Sequence, residues 1–456
     1  MGNMELFGTD GIRGTSNQFP ITIDIVTKVG QALGHLLMTS GSSNTQGRRK
    51  VVIGKDTRLS GYMVEMALSS GLNSMGVDVQ LLGPLPTPGI GFLTRNMRAD
   101  AGVVISASHN AYRDNGIKIF GPDGFKISAD FEKQIEALVM SQDLNSLLPP
   151  PDKVGRSKRI DDAAGRYIVY VKSTFPFQYT LDGMRVVLDT ANGAAYKVGP
   201  AVFEELGAEV ILLGNTPNGT NINDKCGALF PNRVADAVLA YRADVGISLD
   251  GDADRCIIVD EKGAIVNGDH ILAICGTHLR KHGLLTHSTV VTTLMCNYGL
   301  DQFMAKQGIK LVKTQVGDRY VVEEMRANGY VLGGESSGHI IFLDRTTTGD
   351  GLIAGLHVLA VMIEEKKKLS DLNDMMKDVP QVLRNVRIAK RAELSDLPGY
   401  SDLIKQIEGK LGSEGRVFIR FSGTEPLVRI LVEGPDLQDI TLFAEQLAEF
   451  LEKALG

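Results

Sequence analysis

RADAGVVISASHN (residues 98–110) and RADVGISLDGDADR (242–255) read as two copies of one segment. Each opens on Arg-Ala-Asp, runs apolar as a buried strand does, and then stops at a polar loop. ANGYVLGGESSGH (327–339) is a weaker third copy. The copies differ where they end, in SASHN, DGDADR and GGESSGH. Ligands in open α/β sheets bind beyond the carboxyl ends of the strands. One such loop alone would pass for a surface turn. Three at equivalent positions, each with different chemistry, imply related domains that bring three loops to one cleft.

Working outward, each copy follows a strand, loop, helix and strand. These are VVIGKDTRLSGYMVEMALSSGLNSMGVDVQLLG (51–83), VVLDTANGAAYKVGPAVFEELGAEVILLG (186–214) and TVVTTLMCNYGLDQFMAKQGIKLVKTQVG (289–317). In each, a glycine (Gly76, Gly207, Gly308) closes the helix before the next strand. The alternation predicts parallel βαβ units. Beyond about residue 370 the pattern changes. MMKDVPQVLRNVRI, a helix near 400–411, RVFIRFSGTEPLVRILVEG and a helix over 436–455 predict an α+β domain, with a linker around Lys366–Asp374. The expected fold is α/β: three related α/β domains with mixed, mainly parallel sheets, and a smaller C-terminal α+β domain around a central cleft. The expected domains are 1–155, 156–262, 263–370 and 371–456.

Bulk properties narrow the function. With 456 residues, about three or four domains are expected. The net charge of −6 disfavours wholesale nucleic-acid binding. Four cysteines without CxxC spacing fit reduced thiols and a cytoplasmic protein rather than a disulfide framework or zinc site. No signal peptide is visible in MGNMELFGTD. The apolar run 351–362 is too short to span a bilayer, so no membrane partner is expected.

The loops carry the chemistry. Asp250, Asp252 and Asp254 alternate, so an extended loop would aim all three to one side. Two carboxylates about 5 Å apart repel by about 3 kcal/mol at an effective dielectric near 20. Three therefore require a cation, and hard oxygen ligands beside a phosphate point to Mg²⁺. The rivals are a solvated turn with no metal and a Ca²⁺-binding EF-hand, since Glu261 falls at position twelve. Against the EF-hand, position six is Arg255 rather than Gly, and the flanks read as strands. Ser108 has His109 as its immediate neighbour, poorly placed as the aligned base of a hydrolase triad, and no G-x-S-x-G elbow. A serine carrying phosphate would bear a charge of about −1.5 to −2 and would suit the metal. Ser108 is thus read as a phosphoryl carrier. His109 and Lys118 are candidates for proton transfer or charge balance. In RFSGTEPLVR, Arg420, Ser422, Gly423, Thr424 and Arg429 have the parts of a phosphate clamp. In GGESSGH, Glu335 and Ser337 can bind sugar hydroxyls.

With those residues in place, the chain resembles the α-D-phosphohexomutases nearly end to end. The motifs are FGTDGIRG (7–14), GKDTRLSGYM (54–63), GPLPTP (83–88), ISASHNAYRDNGIKIFG (105–121), PNGTNINDKCGA (217–228), DGDADR (250–255), VGDRYV (316–321), GGESSGH (333–339), TTTGDG (346–351) and RFSGTEPLVR (420–429). The resemblance implies that Ser108 is a phosphoserine and that it shares Mg²⁺ with the three aspartates. It adds Arg13, Lys118 and His339 as active-site cations and Arg255 as a substrate-binding residue. It implies a hexosamine phosphate substrate, glucosamine 6-phosphate to glucosamine 1-phosphate, and a bisphosphate intermediate. A homodimer is left open. Rivals are glucose or mannose phosphates as substrate, a phosphoserine phosphatase, and a non-catalytic sugar-phosphate sensor. The chain departs from the family pattern at Ala111 (commonly Pro), Ala253 (usually Gly) and Ser336 (a sugar-loop position).

Overall fold

The computed structural model describes residues 6–8, 10–40, 48–141, 143–390, 392–421 and 427–456. In the first domain the elements are β1 (Ile12–Thr15), α1 (Ile23–Thr39), β2 (Lys50–Lys55), α2 (Ser60–Ser74), β3 (Asp78–Pro84), α3 (Thr87–Asn96), β4 (Ala101–Ile105), β5 (Asp114–Phe120), α4 (Ala129–Ser141) and β6 (Ser157–Arg159). The second runs α5 (Ala163–Ser173), β7 (Arg185–Asp189), α6 (Val198–Glu204), β8 (Glu209–Leu213), α7 (Asn232–Tyr241), β9 (Val245–Leu249), β10 (Cys256–Asp260) and β11 (Ile265–Val266). The third runs α8 (Gly268–Lys281), β12 (Thr289–Thr293), α9 (Tyr298–Lys306), β13 (Lys310–Thr314), α10 (Asp318–Asn328), β14 (Leu332–Gly334), β15 (Ile340–Phe342), α11 (Gly351–Glu365) and α12 (Leu369–Asn373). The fourth has β16 (Gln381–Arg387), α13 (Tyr400–Leu411), β17 (Arg416–Phe421), β18 (Leu427–Glu433) and α14 (Leu437–Leu455).

One strand order recurs in the first three sheets. It is β5-β4-β2-β3, then β10-β9-β7-β8, then β15-β14-β12-β13. In each, the strand read from sequence as a repeat (β4, β9, β14) lies between a parallel and an antiparallel neighbour. The expected parallel βαβ unit is therefore completed by an antiparallel return strand, and the loop that joins the two is the one with the chemistry. β4 and β9 are buried along their whole length. Strands covered on both faces need such continuous apolar sequence. Gly76, Gly207 and Gly308 all have positive φ, as their place after a helix requires. The fourth sheet is antiparallel, in the order β16-β18-β17.

By contact, the chain forms two compact units: residues 1–295 with 309–375, and residues 296–308 with 376–456. The second unit thus takes in the stretch containing α9. Asn297 exchanges hydrogen bonds with the backbone of Val379 at 2.9 Å in both directions, and Tyr298 N–H donates to Glu433 at 3.0 Å. The expected linker is also more structured than its composition implied. Its residues 369–373 form α12, whose Ser370 donates to Glu261 at 2.6 Å.

In the first domain, α1 and α2 cross at two glycines. A Cβ on Gly71 would lie 2.2 Å from the carbonyl oxygen of Thr27, and one on Gly30 2.5 Å from that of Leu68. The helices can approach this closely only without side chains there. Gly71→Ala is expected to force them apart at a cost of about 1–3 kcal/mol. Denaturation followed by circular dichroism would show it, and an unchanged midpoint would mean that the crossing yields freely.

Candidate active site

Ser108 sits just beyond β4, buried, with φ of 51°. A left-handed conformation costs a side chain roughly 1–2 kcal/mol, so neighbours must impose it. Ser108 N–H donates to Ser106 Oγ at 2.9 Å, and Ser106 Oγ donates to Asp56 at 2.7 Å. The Ser108 carbonyl accepts from Arg58 Nη2 at 2.9 Å and from Asn223 Nδ2 at 2.8 Å. Arg58 is completely buried. It also donates to the carbonyls of Asn110 (2.9 Å), Asp114 (3.1 Å) and Ala111, while its Nε holds Asp56 at 2.8 Å. Burial pushes the Asp56 pKa up, and Arg58 pulls against that rise. With its carbonyl held in this way, Ser108 turns its hydroxyl to the second domain. Oγ donates to Asp250 Oδ2 at 2.7 Å.

The aspartates converge as expected, but through a tight turn rather than an extended loop. Ala253 has φ of 55°, and its N–H closes back on the Asp250 carbonyl at 3.0 Å. That conformation explains why Gly is the usual residue there. Gly251 lets the loops meet: a Cβ on it would lie 2.6 Å from the Ser108 carbonyl oxygen. Asp250, Asp252 and Asp254 are buried and present oxygens within 4.8 Å of one another. Thr87 Oγ1 donates to Asp252 Oδ2 at 2.7 Å, yet Asp252 Oδ1 and Asp254 Oδ1 meet no hydrogen-bond donor among the described residues. Buried carboxylate oxygens without donors fit a hard divalent cation. The EF-hand reading fails. Glu261 is engaged by Ser370, and the flanks are the strands β9 and β10. Burial, then Asp254 and Asp252, raise the Asp250 pKa well above the ordinary range. For Asp254 burial acts the same way, but Lys118 and His339 outweigh it and the pKa falls.

Lys118 Nζ stands 3.0 Å from Asp252, 3.5 Å from Asp254 and 3.3 Å from Asp10. Burial opposes its charge, but the three carboxylates together raise its pKa. From Asp254 the contacts continue to His339 (3.7 Å), Asp318 (3.6 Å), Lys126 (2.6 Å) and back to Asp10 (2.5 Å). The result is a closed ring of acids and bases drawn from three domains. Arg13 pairs with Asp10. His339 is also fixed by the Gly349 N–H, which donates to Nε2 at 3.0 Å. Burial disfavours its charged form, yet Asp254 and Asp318 move its pKa upward. An Nε2 that accepts a backbone N–H nevertheless leaves Nδ1, the nitrogen facing Asp254, as the ring's donor. His109 Nδ1 lies 3.3 Å from Ser108 Oγ. Burial first, then Arg255 and Arg13, lower the His109 pKa to about 4.

GGESSGH lies against the start of β10. Gly338, at φ of 90°, accepts from Cys256 N–H at 2.9 Å, and its missing Cβ would be 2.2 Å from the Cys256 carbonyl oxygen. Glu335 accepts from Gly317 N–H at 3.2 Å. Ser337 Oγ and Arg255 Nε are buried without a hydrogen-bond partner among the described residues. The first unit thus brings together Ser108, Arg13, His109, Lys118, the three aspartates, Arg255, Glu335, Ser337 and His339. Arg420 and Arg429 belong to the second unit, facing each other across β17 and β18. Burial, then the Arg429 charge, lower the Arg420 pKa. Ser422, Gly423 and Thr424 lie outside the described residues. Sequence reasoning gave no role to Asp10, Asp56, Arg58, Thr87, Lys126, Asn223 or Asp318. All but Lys126 lie in quoted motifs, and the polar run KDTR directly after an apolar strand was the available signal.

The chain matches models of four domains described as phosphoglucomutase/phosphomannomutase: alpha/beta/alpha domain I at residues 4–146, domain II at 165–263, domain III at 267–379 and the C-terminal domain at 358–450. It is 67% identical to a phosphoglucosamine mutase of Bdellovibrio bacteriovorus, with 99% of each chain covered. Among solved structures it is similar to a phosphoglucomutase/phosphomannomutase family protein of Burkholderia thailandensis (TM-score 0.79, 22% identity, 99% of this chain and 97% of that one). It is also similar to an Aspergillus fumigatus N-acetylphosphoglucosamine mutase in complex with GlcNAc-6P and magnesium (TM-score 0.68, 17% identity, 99% and 96%). At these identities the two structural likenesses concern the fold.

Arg58→Met would leave Asp56 in the interior without its counter-charge, at a cost of about 3–5 kcal/mol. Arg58→Lys keeps the charge but loses the fork of donors. Amide hydrogen exchange over residues 107–111 is expected to quicken in the lysine variant. Undiminished protection would show that Ser106 and Asn223 hold the turn by themselves.

Proposed function

The chain belongs to the phosphoglucomutase/phosphomannomutase family, and from that premise we propose that it is an isomerase interconverting glucosamine 6-phosphate and glucosamine 1-phosphate. The observation that carries the reading is the Ser108 hydroxyl, held in a strained turn 2.7 Å from Asp250 within a buried nest of three carboxylates. An unreactive serine would need none of this. No helix among the described residues is long and apolar enough to cross a membrane. We assign the protein to the cytoplasm because its four cysteines are free, as in a reducing compartment.

The cycle begins with phosphate on Ser108. The Ser108 Oγ–P bond breaks as a bond forms from phosphorus to O1 of glucosamine 6-phosphate; O1 gives up its proton and Ser108 Oγ takes one, leaving the bare hydroxyl. The 1,6-bisphosphate then turns over. Its O6–P bond breaks as phosphorus rejoins Ser108 Oγ; Oγ gives up its proton and O6 takes one. His109 Nδ1, 3.3 Å from Oγ, is placed to move a proton at that atom. Lys118, tied to three carboxylates, balances charge. Glu335 and Ser337 take the sugar hydroxyls in both orientations. Arg420 and Arg429 are assigned to phosphate, because two arginines at paired positions of β17 and β18 favour an anion. Asp250, Asp252, Asp254 and Ser108 would hold Mg²⁺, which when bound supplies neutralisation of the transferring phosphoryl charge. Ser336 favours testing the alternative substrates, since it departs from the family pattern within the sugar loop.

In a single turnover with isotope-labelled phosphate on Ser108, the label is expected at position 1 of glucosamine 1-phosphate. Label released as free phosphate would identify a phosphatase. Glucose and mannose phosphates run alongside would rank the substrates. Ser108→Ala is expected to lose turnover by about 10³-fold or more, with the fold intact by circular dichroism. Chelation is expected to stop turnover, and Mg²⁺ to restore it. Full activity after chelation would remove the metal from the scheme.

A further inference from the structure

Outside the catalytic network, α8 and α11 bring a second group of metal-binding side chains together. His278 lies on the last turn of α8, His282 follows one turn later at its C-cap, and Glu364 comes from the end of α11. One nitrogen from each imidazole and one Glu364 oxygen lie within 4.8 Å of one another. His282 Nδ1 is 2.9 Å from the His278 carbonyl oxygen, a contact that only an N–H can make favourably. Nδ1 therefore carries a proton, and Nε2 is aimed at Glu364 Oε1, 3.1 Å away. His278 Nε2 faces the other oxygen of the same carboxylate at 3.5 Å. Lys281, the nearby cation, is occupied by Glu365 at 2.7 and 2.9 Å. The His278 pKa is lowered by burial first and then by His282.

An ion pair would explain His282 against Glu364 alone. It leaves unexplained a second imidazole turned to the free oxygen of that carboxylate. Two histidines at i and i+4 on one helix face are the spacing that presents two ring nitrogens to one ion. The backbone bond that fixes the His282 tautomer is the kind of outer contact that orients metal-ligating histidines. We propose that His278, His282 and Glu364 form a second metal site, for a dication of the zinc class, which ties the C-terminal end of α8 to that of α11. Two nitrogens and one oxygen suit Zn²⁺ far better than Mg²⁺. Any proton held between His282 Nε2 and Glu364 leaves as the metal enters.

The test uses the full-length protein in excess Mg²⁺, with Zn²⁺ as the probe and bound metal measured after equilibrium dialysis. The wild type is expected to bind one more Zn²⁺ per chain than His282→Ala. That variant changes an exposed side chain, so its fold should stand. Asp252→Asn is expected to keep the difference, which places the ion away from the acid loop. Glu364→Gln is expected to weaken the site by about tenfold or more. Co²⁺ in place of Zn²⁺ should give visible absorption bands in the wild type that are lost in His282→Ala. Zn²⁺ should also raise the thermal midpoint of the wild type alone. Equal Zn²⁺ binding by the wild type and His282→Ala would overturn the proposal and leave the cluster as an ion pair.

Discussion

The pairing of Arg58 with Asp56 is the constraint on which the site rests. Both side chains are removed from water. Burying two charges costs several kcal/mol each, and a pair alone seldom recovers that. Here the guanidinium makes further bonds to four carbonyls of a single loop. The buried charge is thereby converted into geometry. With its carbonyl committed to Arg58 and Asn223, Ser108 can put its side chain only to the opposite side, where the aspartates are. The strained turn persists because so many bonds specify it.

The acid loop shows the same principle with the signs reversed. Three carboxylates are crowded into a dry space, and one lysine does not neutralise them. The strain is distributed unevenly. Lys118 and His339 hold Asp254 in its charged form, whereas Asp250, which accepts from Ser108, is pushed toward protonation. Asp250 is thus the carboxylate with the most to gain from a cation. The ring through Asp10, Lys126 and Asp318 surrounds this imbalance and joins three domains.

What was legible in the sequence was local. The paired RAD segments exposed the triplication, because a strand buried on both faces needs an apolar run. Gly76, Gly207 and Gly308 marked the helix ends, because only glycine adopts positive φ without cost. The alternating aspartates revealed their own cluster, though not the turn at Ala253 that assembles it. What could not be read depends on partners far apart in the chain. Arg58 looks like any polar residue after a strand until Asn223, from another domain, arrives beside it. Lys126 and Asp318 are separated by nearly two hundred residues, and nothing in the sequence around either announces the other. The stretch near 370, read as a linker, ends where the chain passes from one unit to the other, yet part of it is packed: Leu369 and Leu372 are buried and Glu261 anchors Ser370.

The shared ring also imposes an order in time. Ser108 leaves the ribosome early, and Asn223, Asp250 and finally His339 follow it. At roughly 5–20 residues per second, the interval between Ser108 and His339 is about ten to fifty seconds. For most of that interval the nascent first domain carries Lys118 and Lys126 with Asp10 as their shared acid, but without Asp252, Asp254 and Asp318. The serine turn meanwhile has Arg58 but lacks Asn223. Translation thus delivers a folded scaffold well before it delivers a reactive centre, and a chain stalled short of its third domain would be inert as well as incomplete.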